Sequence, residues 1–233
     1  MFRKPYLASI SLWIGSAITV PATPPAARVD GYRGIWFALG QPSEYGDKYS
    51  GGLGTYTANH SPMAVYSAKV DKTFFVYGGT SAKDVRSLLC MVSYYDHKTG
   101  RVPRPVVVMD KSPVDDPHDN PSLNIDRSGH LWIFVSGRAK KRPGVVFRSA
   151  NPYDIDSFLE VERSEFTYPQ IWADDDGESM LLFTKYTAGR ELYWKTTPDD
   201  RTWSPDHKLA GFGGHYQTSY RQKDRDVFQL SSG

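Results

Sequence analysis

The chain has 233 residues, of which 39% are hydrophobic and 14% aromatic, and this composition excludes a disordered or collagen-like polypeptide. Its formal net charge of +2 resides in Arg3 and Lys4; beyond residue 22 the chain carries 26 Lys+Arg against 26 Asp+Glu, which gives no electrostatic case for a nucleic-acid partner. One cysteine, Cys90, excludes an intrachain disulfide framework and any CxxC metal site; its apolar setting (LLCMV) reads as a buried small side chain.

Residues 1–22 have the layout of a secretory signal peptide. Arg3 and Lys4 precede the mostly apolar run Leu7 to Val20, and Val20-Pro21-Ala22 supplies small residues for cleavage. The run is shorter than the roughly 20 residues a spanning helix needs, and no later stretch is long and apolar enough, so no membrane span is expected after signal removal. The expected location is secreted or periplasmic. Residues 23–30 read as a flexible lead, and residues 31–233 as one domain. Gly31-Tyr32-Arg33-Gly34-Ile35-Trp36 reads as the first strand, followed by a Gly-, Ser- and Tyr-rich loop from Gln41 to Thr57.

From there a pattern recurs four times. The clusters His60-Ser61-Pro62, Asp119-Asn120-Pro121, Thr167-Tyr168-Pro169 and His215-Tyr216-Gln217 each precede an apolar strand-like run. Thirteen residues after the last member of each cluster stand Phe75, Phe134, Leu182 and Leu230, and the clusters are spaced by 59, 48 and 48 residues. Repeats two and three also share Asp126 and Asp174, five residues after the prolines, and Gly129 and Gly177, eight after. Strands are predicted at Ser122–Ile125, Leu131–Ser136 and Val145–Ser149 in repeat two, and at Gln170–Ala173, Ser179–Lys185 and Glu191–Thr196 in repeat three. The Asp and Gly between the first two strands supply the local hydrogen bonding and positive φ of a tight hairpin.

A strand-rich period of roughly 40–50 residues is the signature of propeller blades. The predicted fold is all-β, a β-propeller of four-stranded blades with about four blades present. The fourth repeat stops after its second strand at Ser231-Ser232-Gly233, so the chain is expected to be the N-terminal part of a larger, roughly seven-bladed propeller. Such a ring brings equivalent positions of successive blades to one central mouth, and His60, His118, Tyr168 and His215 are expected to meet there.

The runs GYRGIW, YSGGLGTYTANHSP, DPHDNPSLNIDRSGHLWIFVSGR, YPQIWADDDGESMLLFTKY and FGGHYQTS resemble the BNR-repeat (bacterial neuraminidase repeat) propellers of polysaccharide-utilising bacteria, a group that includes ulvan lyases. The resemblance extends from about Gly31 to Ser219. The Asp-box of sialidases is only partly matched: Asp199-Asp200-Arg201-Thr202-Trp203 keeps Thr-Trp but has Arg where the box has Gly, and the box is in any case a structural turn.

The resemblance to ulvan lyases implies β-elimination of an anionic, uronate-containing polysaccharide, with a His base, a Tyr acid or base and an Arg that neutralises the uronate carboxylate. Three residues are assigned to these roles. His118 is the base, since neighbouring carboxylates in Asp115-Asp116-Pro117-His118-Asp119 can orient its ring. Tyr168, one blade later, is the proton-transfer partner. Arg190 is the neutraliser, because a guanidinium binds a carboxylate through two parallel hydrogen bonds, and Lys185 and Arg221 stand behind it. Substrate contacts are expected from His60, Asn120, Lys185, Tyr186, His215 and Tyr216, with Trp36 and Trp172 as further stacking candidates.

For each there is a plainer role: a turn-capping His, packed aromatics, and arginines that end strands in solvent. The basic cluster Arg138, Lys140, Lys141 and Arg142 reads first as a solvated hairpin tip. A non-catalytic carbohydrate-binding propeller and a sialidase-like hydrolase stand as alternatives. The expected partner is an anionic polysaccharide, and the protein is expected to be monomeric. No cofactor or metal motif is complete; Asp174-Asp175-Asp176-Gly177 resembles part of a calcium loop but lacks its alternating ligands and closing Glu, which leaves a structural calcium open.

Overall fold

A computed structural model describes residues 27–28, 60–79, 87–173, 178–187, 189–199, 201–211, 216–222 and 225–231. The expected signal peptide, the strand at Gly31–Trp36, the loop at 41–57 and the turn at Asp174–Gly177 lie outside these residues. Within the expected flexible lead, the short strand β1 (Ala27–Arg28) pairs in parallel with β5 (Arg101–Val102).

The blades are antiparallel sheets in chain order. Blade 1 comprises β2 (Ala64–Ser67), β3 (Lys72–Gly79), β4 (Leu89–Asp96) and β6 (Val106–Asp110), with β5 also on β4. Blade 2 is β7 (Pro121–Ile125), β8 (Leu131–Val135), β9 (Gly144–Ser149) and β10 (Phe158–Ser164). Blade 3 is β11 (Thr167–Ala173), β12 (Ser179–Lys185), β13 (Glu191–Thr197) and β14 (His207–Gly211). Two strands of blade 4 follow, β15 (Tyr216–Gln222) and β16 (Arg225–Ser231). The architecture is thus all-β and propeller-type, as expected. No helix of the described residues is long and apolar enough to cross a membrane.

The repeat register read from sequence is the pairing register of the blades. Phe75, Phe134, Leu182 and Leu230 sit on the second strand of each blade, opposite Ala64, Ser122, Gln170 and Gln217 of the first. In repeats two and three, each expected strand differs from the observed one by at most three residues at an end. Gly129 carries the positive φ expected of the first hairpin, +89°, and a Cβ there would meet the Tyr153 ring at 2.3 Å. Asp126 Oδ1 accepts from the His130 backbone N–H at 2.8 Å in the same turn.

Strand β8 (LWIFV) is buried throughout because both of its faces are covered. Leu131, Ile133 and Val135 pack with Phe74, Val76, Cys90 and Val92 of blade 1. Trp132 and Phe134, pointing the other way, pack with Phe166, Ile171, Leu181 and Phe183 on the blade 3 side. Side chains alternate across a strand, so a continuous apolar run is what a sheet between two others requires. Each such side chain contributes about 1.5–3 kcal/mol on burial.

Cys90 lies in the first of these cores, fully buried, and burial pushes its thiol up to about 12. A thiol held protonated and out of water is a poor nucleophile. Ellman's reagent at pH 8 is expected to leave Cys90 unreacted in the folded protein and to titrate one thiol in denaturant. Rapid reaction before unfolding would contradict this packing.

Candidate active site

Three of the predicted rings converge. Tyr168 lies 5.6 Å from His118 and 5.7 Å from His60, ring centroid to centroid, and the His60 Nε2–H donates to the His118 carbonyl at 2.8 Å. All three are buried, with 1%, 0% and 1% of the His60, Tyr168 and His118 surfaces exposed. Three of the four residues expected to share one site thus meet, and in this structure their rings are covered.

His118 is placed by a 3-10 turn, Pro117–Asp119, directly before β7. Asp116 caps that turn, and its Oδ1 accepts from the His118 backbone N–H at 3.0 Å and from the ring Nδ1 at 2.5 Å. An ionised carboxylate only accepts, so this contact fixes a proton on Nδ1, and in the neutral ring the lone pair is then on Nε2. Burial pushes the Asp116 carboxyl up, but its hydrogen bonds and attraction to His118, with Arg138 behind them, outweigh this and hold it well below the usual carboxylate range. Asp116 Oδ2 accepts from Arg142 at 2.5 Å and from Arg138 at 3.2 Å.

A second carboxylate extends the network. Asp119, wholly buried, accepts from Lys111 Nζ and from Arg142, and Lys111 also donates to the Ser136 carbonyl at 2.6 Å. Burial pushes the Asp119 carboxyl up against the pull of Lys111 and Arg142. Arg138 and Arg142 reach inward because their hairpin is tight at Gly137, where a Cβ would meet the Arg142 carbonyl and the Gly144 nitrogen at 2.3 Å. The reading of the basic cluster as a solvated tip therefore holds only for Lys140 and Lys141, which are exposed. Two buried carboxylates draw the arginines in.

Tyr168 is aimed by backbone strain. Its φ is +54°, and the β11–β12 register shifts between Thr167 and Gln170, so Tyr168-Pro169 forms a bulge at the strand's start. A non-glycine residue held in that region costs on the order of 1–3 kcal/mol, and such bulges re-aim side chains beside functional sites. The Ser136 Oγ accepts from the Tyr168 N–H at 3.1 Å. His60 is held by a cross-tie from blade 1: the Ser61 N–H donates to the Pro169 carbonyl at 3.2 Å, and the Ile171 N–H to the Ser61 carbonyl at 2.8 Å.

Comparison with known proteins shows the family of the chain. A family model described as "BNR repeat-containing family member" matches residues 86–227. The chain belongs to this BNR repeat-containing family. Among solved structures, this BNR chain is similar to an ulvan lyase of polysaccharide lyase family PL25, with a TM-score of 0.61 and 17% identity over 74% of this chain and 45% of that one. A structure of a PL25 ulvan lyase bound to -[GlcA(1-4)Rha3S]- gives a TM-score of 0.62, again with 17% identity, 74% and 45%. A protein of unknown function from Dyadobacter fermentans gives 0.56 and 14% identity, covering 72% of this chain and 47% of that one. At these identities the likeness establishes the fold, and the BNR chain spans less than half the length of each of these structures. No curated protein matches.

The other predicted residues of the BNR chain fall into separate places. Asn120 is buried beside the trio at the end of the 3-10 turn. Lys185, Tyr186 and Arg190 lie at the end of blade 3 where β11 begins, since Lys185 pairs with Glu191 and Thr184 with Thr167. The Arg190 guanidinium lies 5.8 Å over the Tyr186 ring. Lys185 is ion-paired with Asp206. Trp172 ties two blades together, its indole N–H donating to Ser219 Oγ at 2.7 Å. His215, Trp36 and the side chains of Tyr216 and Arg221 lie outside the described residues.

Sequence reasoning did not single out Lys111 or Ser136, and took Asp119 only as part of a cluster. A lysine followed by an acidic run (KSPVDDPHD) is the one local sign of this network. Among the described residues, no group of three or more His, Cys, Asp or Glu is placed to hold a metal ion.

Proposed function

We propose that this chain is part of an exported polysaccharide lyase that cleaves an anionic, uronate-containing polymer by β-elimination. The observation that carries the reading is Asp116 on His118 Nδ1 with Tyr168 facing the same ring. His118 Nε2 then takes the proton from C5 of the uronate, and Tyr168 protonates the leaving glycosidic oxygen. Arg190 binds the uronate carboxylate and makes that proton more acidic. The likeness to ulvan lyases supports the substrate class.

The test follows absorbance of the unsaturated uronate product while the full-length protein acts on ulvan and other polyuronates, beside its His118→Ala variant. Wild-type product should accumulate, and the variant should lose about 10²–10⁴-fold in turnover, the range supplied by a positioned acid or base. No product from any polymer would sink the lyase reading.

The burial of His60, His118 and Tyr168 favours one alternative, a carbohydrate-binding propeller in which this trio ties the blades together. Polymer binding that is retained without any turnover would select it.

A further inference from the structure

A cavity of about 290 Å³ lies between blades 2 and 3, lined by Trp132, Arg148, Val161, Glu162, Arg201 and Trp203. It is far from the trio along the blades. Val135 pairs with Pro121 at the His118 end of β8, whereas Trp132 pairs with Arg148 at the other end, and Trp203 lies in the β13–β14 connection beyond Thr197. From this cavity we infer that the protein has a second saccharide site, which takes one pyranose unit bearing a carboxylate or sulfate.

The charges around the cavity are unevenly committed. Glu162 accepts from Lys195 at 2.8 Å, and Asp126 from the Trp132 indole N–H at 3.0 Å. Arg148 is 17% exposed, yet its only ionic neighbour among the described residues, Asp126, stands at 3.6 Å, too far for a hydrogen bond. The Arg148 Nε is buried with no hydrogen-bond partner among them. Arg201 is exposed, and among the described residues its guanidinium forms no ion pair. Arg148 and Arg201 thus line one space, and neither guanidinium holds a hydrogen-bonded carboxylate among the described residues.

The walls suit a sugar. The volume is at the low end for small-molecule sites, enough for one ring and its anionic group. Val161, 48% exposed, and the half-buried Trp203 give an apolar flank for the C–H face of a pyranose, while the arginines bind the anion through charge-assisted hydrogen bonds. The cavity and its charge stand independently; the choice of a saccharide over another anion rests on the polysaccharide reading above.

The test follows the indole N–H resonances of Trp132 and Trp203 in ¹⁵N-labelled full-length protein, titrated with methyl β-D-glucuronide, methyl β-D-glucoside and inorganic phosphate. The glucuronide should shift both resonances saturably, more tightly than the other two probes. Arg148→Gln and Arg201→Gln should each weaken it by about tenfold or more, the loss of one charge-assisted hydrogen bond, and His118→Ala should leave it unchanged. Absence of a saturable shift, phosphate binding as tightly as the glucuronide, or wild-type affinity in the surface variant Arg201→Gln would overturn the inference. Because the readout is binding, loss or absence of uronate elimination leaves this result interpretable on its own.

Discussion

Replacing Asp119 with alanine is expected to destabilise the fold by about 3–5 kcal/mol, the usual result of removing one partner from a buried ion pair. The carboxylate is wholly buried, and the Lys111 side chain is 4% exposed. Without Asp119 the ammonium keeps, among the described residues, only the Ser136 carbonyl, a neutral acceptor. Arg142 suffers less, since it is about one-third exposed and still reaches Asp116. In urea, where the slope for a small domain is about 1–3 kcal/mol/M, the midpoint should fall by more than 1 M. The double replacement Lys111→Met with Asp119→Leu should recover most of the loss, because apolar residues of similar size often replace a buried pair at little cost. A shift below about 1 kcal/mol for Asp119→Ala would mean that water reaches the pair.

Asp116→Asn is the corresponding expectation for activity. An amide can present its N–H₂ or its oxygen to His118 Nδ1, so the ring is no longer held with its lone pair on Nε2. Turnover of a uronate polymer should fall by about 10²–10³-fold with KM little changed, since the substitution acts through His118 and not on the substrate. Stability carries a second readout. The folded Asp116 pKa lies below the unfolded value of about 3.9, so its contribution is present above that pH and is lost as pH falls through the folded value. Wild type should therefore lose stability below about pH 4 more steeply than Asp116→Asn. Unchanged turnover in the variant, with the fold intact, would remove Asp116 from the mechanism.

The blades were legible because their signals are local. A strand–turn–strand unit spans some twenty residues, and the thirteen-residue offset to Phe75, Phe134, Leu182 and Leu230 records a hairpin register that each repeat sets for itself. The meeting of His60, His118 and Tyr168 followed from that repeat. What surrounds them did not. Lys111, Ser136, Arg138 and Arg142 reach the site from neighbouring elements, and Arg142 is drawn inward by carboxylates more than twenty residues away. Nothing in the polarity of Arg138-Ala139-Lys140-Lys141-Arg142 separates its inward arginines from its exposed lysines. The bulge at Tyr168 was equally hidden, since Thr-Tyr-Pro reads as extended chain.

The cross-tie at Ser61 has a consequence for the order of events during synthesis. Its two hydrogen bonds run to the backbone around Pro169 and Ile171, more than a hundred residues further along. Blade 1 can pair its own strands early, but His60 cannot reach its final place until β11 has left the ribosome. The trio is thus assembled late, from its first and last members together, and a nascent chain arrested before residue 167 holds the histidines without the tyrosine that joins them.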